Sequence, residues 1–219
     1  MWGGARLFQE VAGFHVDTAG LGFTHLIEQG KAWVLCRTYY QVHRLPHEGD
    51  TVTIYTWSRG EDGLFAFREF EMVDERGRVE VASTAYWAII DCEARHVVRL
   101  HDLMTTFEHH PEFATDRQNL NRLRLPRGLE PGAPLADFPV KSSMLDHTNH
   151  VNNAEYIKWI FDNLPSEADS VAPFRLSVEY MLETPPDDHI RLYRFDRQGS
   201  LLFQISNSRN IAVLGELTK

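Results

Sequence analysis

The densest group of chemically capable side chains is Asp146-His147-Thr148-Asn149-His150-Val151-Asn152-Asn153. It offers an acid, two imidazoles and three amides directly ahead of an apolar-faced stretch that reads as a helix. Polar groups in that place lie beside the positive end of the helix dipole, where free backbone N–H groups can bind a developing oxyanion or an acyl carbonyl. From position alone two readings weigh equally: a site of this kind, or a polar loop whose asparagines cap the helix. Glu183 shifts the balance. It follows the apolar run Leu176–Leu182 and stands just before Pro185-Pro186, in a segment that should return across the helix N-terminus. A carboxylate there can approach His150 and Asp146 and serve as general base on a water molecule.

The helix that must present this loop is expected from Asn152 to Leu164. Tyr156, Ile157, Trp159, Ile160, Phe161 and Leu164 form one broad apolar face, Asn152 or Asn153 is the expected N-cap, and Pro165 ends the run. So apolar a helix needs wrapping, and the antiparallel strands that follow it are the natural wrapper. Residues 31–101 read as a meander with strands Trp33–Val42, Thr51–Trp57, Leu64–Val73, Val79–Ile90 and Val97–Leu100. The short turns Ser58–Gly63, Asp74–Gly77 and Cys92–Arg95 between them fit antiparallel pairing, because parallel strands need long crossovers. Residues 102–135, with basic Arg117–Arg127 and the breaker cluster Gly128–Pro134, read as a linker holding at most one short helix. After it the first pattern returns. Val52–Arg59 matches Ile190–Arg197, Pro46 matches Pro185, and Arg78–Ala82 matches Asn210–Leu214, in the same order and at nearly one spacing. That points to an internal duplication in which each copy is a helix cradled by a curved sheet, an α+β architecture.

Composition excludes several classes. In 219 residues, 31 Asp and Glu outweigh 22 Lys and Arg for a formal charge of -9, the wrong sign for coating a nucleic-acid backbone or an anionic membrane. Cys36 and Cys92 cannot build a disulfide framework and fit a reducing compartment. No apolar run approaches the roughly 18 residues of a membrane span. Met1–Arg6 does not read as a secretory signal, so a cytoplasmic location is expected. His43 and His47 have helical metal-pair spacing, but Pro46 lies between them in a strand-like region, and no metal is expected. Gly20-Leu21-Gly22 lacks the third glycine of a dinucleotide fingerprint, and neither a Gly-x-Ser-x-Gly elbow nor a P-loop occurs. No cofactor is called for.

Leu145-Asp146 through His150-Val151-Asn152-Asn153, with Tyr156 and Trp159-Ile160, resembles the signature of acyl-acyl carrier protein thioesterases. The first half agrees through Gln9-Glu10-Val11-Ala12, His15, Trp33-Val34-Leu35, Pro46, Gly49-Asp50, Thr56-Trp57, Arg68, Asp74, Gly77 and Ala85-Tyr86-Trp87. The resemblance implies a double hotdog fold: an N-terminal repeat over 1–101, a linker over 102–135, and a C-terminal repeat over 136–219 that carries catalysis. It further implies that the first repeat lacks its opening strand, that its helix starts near Ala5, and that little room remains after Val213 for a last strand. Asp146, His150 and Glu183 fall on the family's aspartate, histidine and glutamate. The family's catalytic asparagine is replaced by Thr148, so that either Thr148 or its neighbour Asn149 takes the orienting role, or activity is reduced. Thr184 stands where some members have a cysteine, which removes a thiol nucleophile.

The implied reaction is hydrolysis of a fatty acyl-acyl carrier protein thioester. Glu183 activates water, His150 and Asp146 orient it, and the carbonyl sits near Asn149, Val151, Asn152 and Asn153. Trp33, Trp57, Trp87, Phe65, Phe67 and Phe70 read as core, and the resemblance puts some of them along an acyl tunnel in the first repeat, which would select the chain. Arg122, Arg124 and Arg127 are either a solvated face or a docking spot for the acidic carrier. The rivals are a coenzyme A thioesterase of the same fold and a non-catalytic acyl-thioester-binding protein. Exposed sheet edges and the family's behaviour admit a homodimer.

Overall fold

The apolar runs of the first half become one antiparallel sheet in the computed structural model, which describes residues 1–105, 107–128, 131–165 and 172–219. Its strands are β1 (Lys31–Val42), β2 (Val52–Glu61), β3 (Ala66–Asp74), β4 (Val79–Asp91) and the short β5 (Val97–Val98). They pair in the order β2-β3-β4-β1, with β5 on β4. β2 runs four residues past its expected end at Trp57. The register slips between Ser58 and Gly60, and Gly60 adopts φ 105, so the strand absorbs a bulge and continues where a turn was expected. The β3–β4 turn follows its sequence cue: the Asp74 carboxylate accepts the N–H groups of Arg76 and Arg78, both at 2.9 Å.

Helix α1 (Trp2–Thr18) carries the apolar face that this sheet buries. Phe8 stacks on Phe70 at 4.9 Å and on Tyr40 at 6.3 Å. The helix begins at Trp2 rather than near Ala5, because Ala5 N–H already bonds Met1 O at 3.1 Å and closes the first turn. Near its end His15 Nδ1 accepts from Arg68, a guanidinium with 6% exposure that also reaches Thr56 Oγ1 at 3.2 Å. Burial pulls Arg68 down to about 10. The short α2 (Phe23–Glu28) buries Leu26 in a cluster with Leu21, Ile89, Leu100, Met104 and Phe107.

That cluster changes the reading of the expected linker. Residues 106, 129 and 130 lie outside the described ones; among the rest of 102–135 there is no helix, and the early part packs onto the first sheet. Leu100, Met104, Phe107 and Leu120 are buried, Trp57 Nε1 donates to Glu112 O, and buried Glu69 accepts Ala114 N–H as well as Arg59 and Thr84. The chain divides into one compact unit of residues 6–120 and another of residues 121–219 together with Met1–Ala5.

The second unit contains β6 (Ala136–Pro139), α3 (Asn153–Asp162), β7 (Phe174–Tyr180), β8 (His189–Arg197), β9 (Ser200–Ser206) and β10 (Ile211–Thr218). The strands pair in the order β7-β10-β9-β8-β6. Read as β8-β9-β10-β7, this repeats β2-β3-β4-β1 strand for strand. The segments that matched in the sequence therefore hold equivalent places in the two sheets. β6 has no counterpart ahead of α1 among the described residues.

β10 corrects the expectation of a truncated end. It is a full eight-residue strand bonded on both sides, because Asn207–Asn210 turns tightly enough to start it at Ile211. α3 lies close on this sheet: a Cβ on Gly215 would stand 2.6 Å from Ile160 Cδ1. Tyr156 and Phe138 each meet Trp159 edge-on at 5.1 Å.

Candidate active site

The loop ahead of α3 is closed by its own aspartate. Asp146 N–H bonds His150 O at 2.8 Å, and Asp146 Oδ1 accepts the backbone N–H of Thr148 at 2.8 Å and its hydroxyl at 2.6 Å. Asn149 takes φ 62, a left-handed conformation that asparagine tolerates better than most residues. The loop thus returns to place Val151 opposite Leu145 as an isolated bridge, and Asn152 caps the helix by accepting Ala154 N–H at 2.9 Å. The expected asparagine cap is thus present at Asn152, on the same segment that carries Asp146, Thr148 and His150.

Of the two neighbours Thr148 and Asn149, Thr148 places its side chain between Asp146 and His150. Its hydroxyl proton goes to Asp146, leaving an oxygen lone pair 3.3 Å from His150 Nδ1. With Nδ1 facing the loop, Nε2 lies on the far side of the ring. On that side β7 ends at Tyr180, Met181 and Leu182 N–H both bond Ala212 O, and the chain swings Glu183 toward the loop. His150 Nε2 and Glu183 Oε2 stand 3.6 Å apart, with side-chain exposures of 36% and 52%. Residues 33 positions apart in sequence therefore meet at the N-terminus of α3, as an acid–hydroxyl–imidazole–carboxylate series open to water. Such a series can take a proton from water and stabilise the resulting charge.

Two expectations need correction. Val151 N–H is taken by Thr184 O and Asn152 N–H by Met144 O, both at 2.9 Å, so neither is free to polarise a carbonyl; the fold needs them to fix the loop. Of the three residues expected to offer backbone donors, Asn153 alone keeps an N–H with no acceptor among the described residues. Arg122 is likewise engaged. Its Nε pairs at 3.0 Å with Glu179, a carboxylate 4% exposed that also accepts Leu123 N–H, so its first duty is to neutralise a buried charge. Arg122, like Arg124 and Arg127, is nonetheless exposed.

Sequence reasoning missed the groups around the Glu183–Thr184 peptide. Thr184 is fully buried; its Oγ1 accepts from Tyr156 OH at 2.8 Å and from Asn207 Nδ2 at 3.2 Å. Glu183 O accepts from Asn207 Nδ2 and from the Arg209 guanidinium. The only signal was the run Asn207-Ser208-Arg209-Asn210, which spacing marks as a turn and nothing more. A shallow hollow of about 440 Å³ lies alongside, lined by Pro185, Pro186, Asp187, Asp188, His189, Ser208 and Arg209. Burial alone would raise the Asp188 carboxyl, but hydrogen bonds from His189 and Ser208 and the charge of Arg209 outweigh it and hold Asp188 below the usual range. No group of three or more His, Cys, Asp or Glu among the described residues is placed to hold a metal ion. No helix among them is long and apolar enough to cross a membrane.

Comparison with known proteins matches the two halves of the chain separately. The family model described as the acyl-ACP thioesterase N-terminal domain matches residues 4–106, and that of the C-terminal domain matches residues 133–212. An oleoyl-acyl carrier protein thioesterase of Arabidopsis thaliana is 27% identical over 199 residues, which covers 84% of this chain and 54% of that protein. An acyl-[acyl-carrier-protein] hydrolase of Cuphea viscosissima is 29% identical, covering 80% of this chain and 45% of the relative. The chain thus spans about half the length of the curated relatives it matches. Among solved structures, the 12:0-ACP thioesterase of Umbellularia californica shares the fold with a TM-score of 0.84 at 19% identity, over 99% of this chain and 88% of that one. An acyl-ACP thioesterase of Bacteroides thetaiotaomicron gives 0.77 at 20% identity, over 100% and 88%. The α+β hotdog architecture expected from the sequence is the fold these structures share, and because the two domain models of one family match the chain in order and cover most of it, the chain belongs to the acyl-ACP thioesterase family.

Proposed function

We propose that the chain hydrolyses the thioester between a fatty acyl group and acyl carrier protein, releasing free fatty acid. The observation that carries this reading is the 3.6 Å approach of His150 Nε2 to Glu183 Oε2 at the N-terminus of α3. Glu183 takes a proton from water as the water oxygen bonds to the acyl carbon. The carbonyl π electrons move to oxygen, where Asn153 N–H and the helix dipole stabilise the oxyanion. Collapse breaks the C–S bond, and the thiolate recovers the proton from Glu183. His150, held by Thr148 and Asp146, orients the water and offsets the developing charge.

Exposed Arg124 and Arg127 supply a docking spot for the acidic carrier on this proposal, with acyl-chain selection assigned to the N-terminal unit. Residence in the cytoplasm belongs to the same proposal and is supported by a sequence with two cysteines, too few for a disulfide framework. So does a homodimer joined through a sheet edge, which sedimentation tests.

The experiment is a panel of carrier-linked and coenzyme A-linked acyl groups of graded length, assayed for free thiol and free fatty acid with the native chain and with Glu183→Gln. The proposal expects preference for the carrier and a loss of at least about 100-fold in kcat for the variant, the scale of general-base removal. Equal use of coenzyme A substrates would transfer the activity to that class. Binding without release of fatty acid would make the chain an acyl-thioester-binding protein.

A further inference from the structure

The Glu183 side chain is half exposed with His150 Nε2 3.6 Å away, yet the backbone of Glu183 and Thr184 is gripped by the loop, by the helix and by the β9–β10 turn. Val151 N–H holds Thr184 O. Tyr156 OH, from the buried face of α3, holds Thr184 Oγ1. Asn207 Nδ2, from the β9–β10 turn, reaches both Thr184 Oγ1 at 3.2 Å and Glu183 O at 3.3 Å. Asn207 is itself pinned, since its Oδ1 accepts the N–H groups of Arg209 and Asn210 at 3.0 and 3.1 Å. Thr184, Tyr156 and Asn207 are 0%, 2% and 6% exposed.

We propose that Thr184, Tyr156 and Asn207 are positioning residues that set the Glu183–His150 separation by fixing the Glu183–Thr184 peptide to the helix and to the β9–β10 turn. The hydrogen bonds that these three make to this segment end on Glu183 O and Thr184 Oγ1 and not on the carboxylate. Their effect passes through the backbone, so the base reaches water while its anchor stays dry. The hydroxyl of Thr184 is the shared acceptor, and it joins an aromatic donor on α3 to an amide donor on the opposite turn. Serine preserves that acceptor; valine keeps the shape, leaves the buried Tyr156 hydroxyl without its acceptor and takes from Asn207 Nδ2 one of its two. The inference rests on the reading of Glu183 as the base.

The test compares Thr184→Val, Thr184→Ser, Tyr156→Phe and Asn207→Leu with the native chain and with Glu183→Gln, in steady-state thioester hydrolysis and over a pH series. Thr184→Val and Asn207→Leu are expected to lower kcat at least about tenfold with KM within about twofold, the pattern of lost transition-state geometry. Thr184→Ser is expected to restore kcat to within about threefold. The acid limb of the kcat/KM profile should move in Thr184→Val, because the carboxylate no longer faces His150 at its native distance. Tyr156→Phe removes one oxygen only and serves where a larger change unfolds the chain; it should lose kcat at unchanged KM. If Glu183→Gln abolishes turnover while Thr184→Val and Tyr156→Phe keep native kcat and pH profile, the positioning proposal is overturned and the base assignment survives. If Glu183→Gln keeps native turnover, the base assignment falls, and the positioning proposal with it.

Discussion

Thr148 is the sharpest place to perturb the site, because one hydroxyl makes both of its contacts. Thr148→Val keeps the branched shape and removes the 2.6 Å donation to Asp146 Oδ1 together with the acceptor 3.3 Å from His150 Nδ1. A hydrogen bond to a charged group contributes about 1.5–3 kcal/mol, and exposure to water at this loop brings the working figure to about 1–2 kcal/mol. If that energy serves to hold the imidazole ring in the transition state, kcat falls by about 5- to 30-fold at nearly constant KM. The backbone N–H of Thr148 still reaches Asp146, so the loop should stay closed and the thermal midpoint should not move. Thr148→Ser keeps the hydroxyl and should retain activity within about threefold. The assay is initial-rate release of free thiol from one acyl thioester, with thermal unfolding recorded alongside. Native kcat in Thr148→Val, or equal losses in the valine and serine variants, would refute the idea that this hydroxyl orients His150.

Three further outcomes are expected. Gly215→Ala forces Ile160, buried at 0% exposure, away from a Cβ placed 2.6 Å from its Cδ1; it should cost about 1–3 kcal/mol in denaturant unfolding, with partial recovery in an Ile160→Val background. Burial, Arg68 and His110 hold His15 below its ordinary value of 6.5, against a smaller opposing pull from Glu108. The folded state therefore binds fewer protons there than the unfolded one, and the stability this gives is present above pH about 6.5 and drains as pH falls; thermal midpoints between pH 7 and 5 should drop more steeply in the native chain than in His15→Gln. Reversing the charge of Arg124 and Arg127 should raise KM for carrier-linked substrate several-fold and flatten its salt dependence, while coenzyme A-linked substrate is unaffected.

The loop ahead of α3 was legible in the sequence because its contacts are local. Asp146, Thr148 and His150 lie within one turn of chain, and the apolar face from Tyr156 to Phe161 fixes where the following helix must begin. Glu183 was legible for a different reason: a strand ending before two prolines has few ways to continue. The repeated strand order could be read because each strand leaves its own pattern of large and polar residues. What escaped was set by pairing across distance. That Val151 and Asn152 N–H are already taken depends on where Thr184 O and Met144 O arrive. That Asn207 reaches Glu183 depends on β10 pairing in register with β9 on one side and β7 on the other. The continuation of β2 through Gly60 was hidden for the opposite reason, since a Ser-Arg-Gly run with charges beside it has the composition of a turn and only the partner strand makes it a bulge.

The repeated strand order also bears on stoichiometry. Glu183 stands two residues before Pro185, and the corresponding place before Pro46 holds Arg44, whose guanidinium lies 2.9 Å from Asp50. A permanent cation cannot relieve water of a proton, so the first copy has no group to begin the reaction at that position. On the proposed mechanism each polypeptide then has one turnover centre, and a covalent or tight-binding probe of the reacting carbon should titrate to one equivalent per chain. Substitutions that reshape the first copy are thereby spared any requirement to preserve proton transfer.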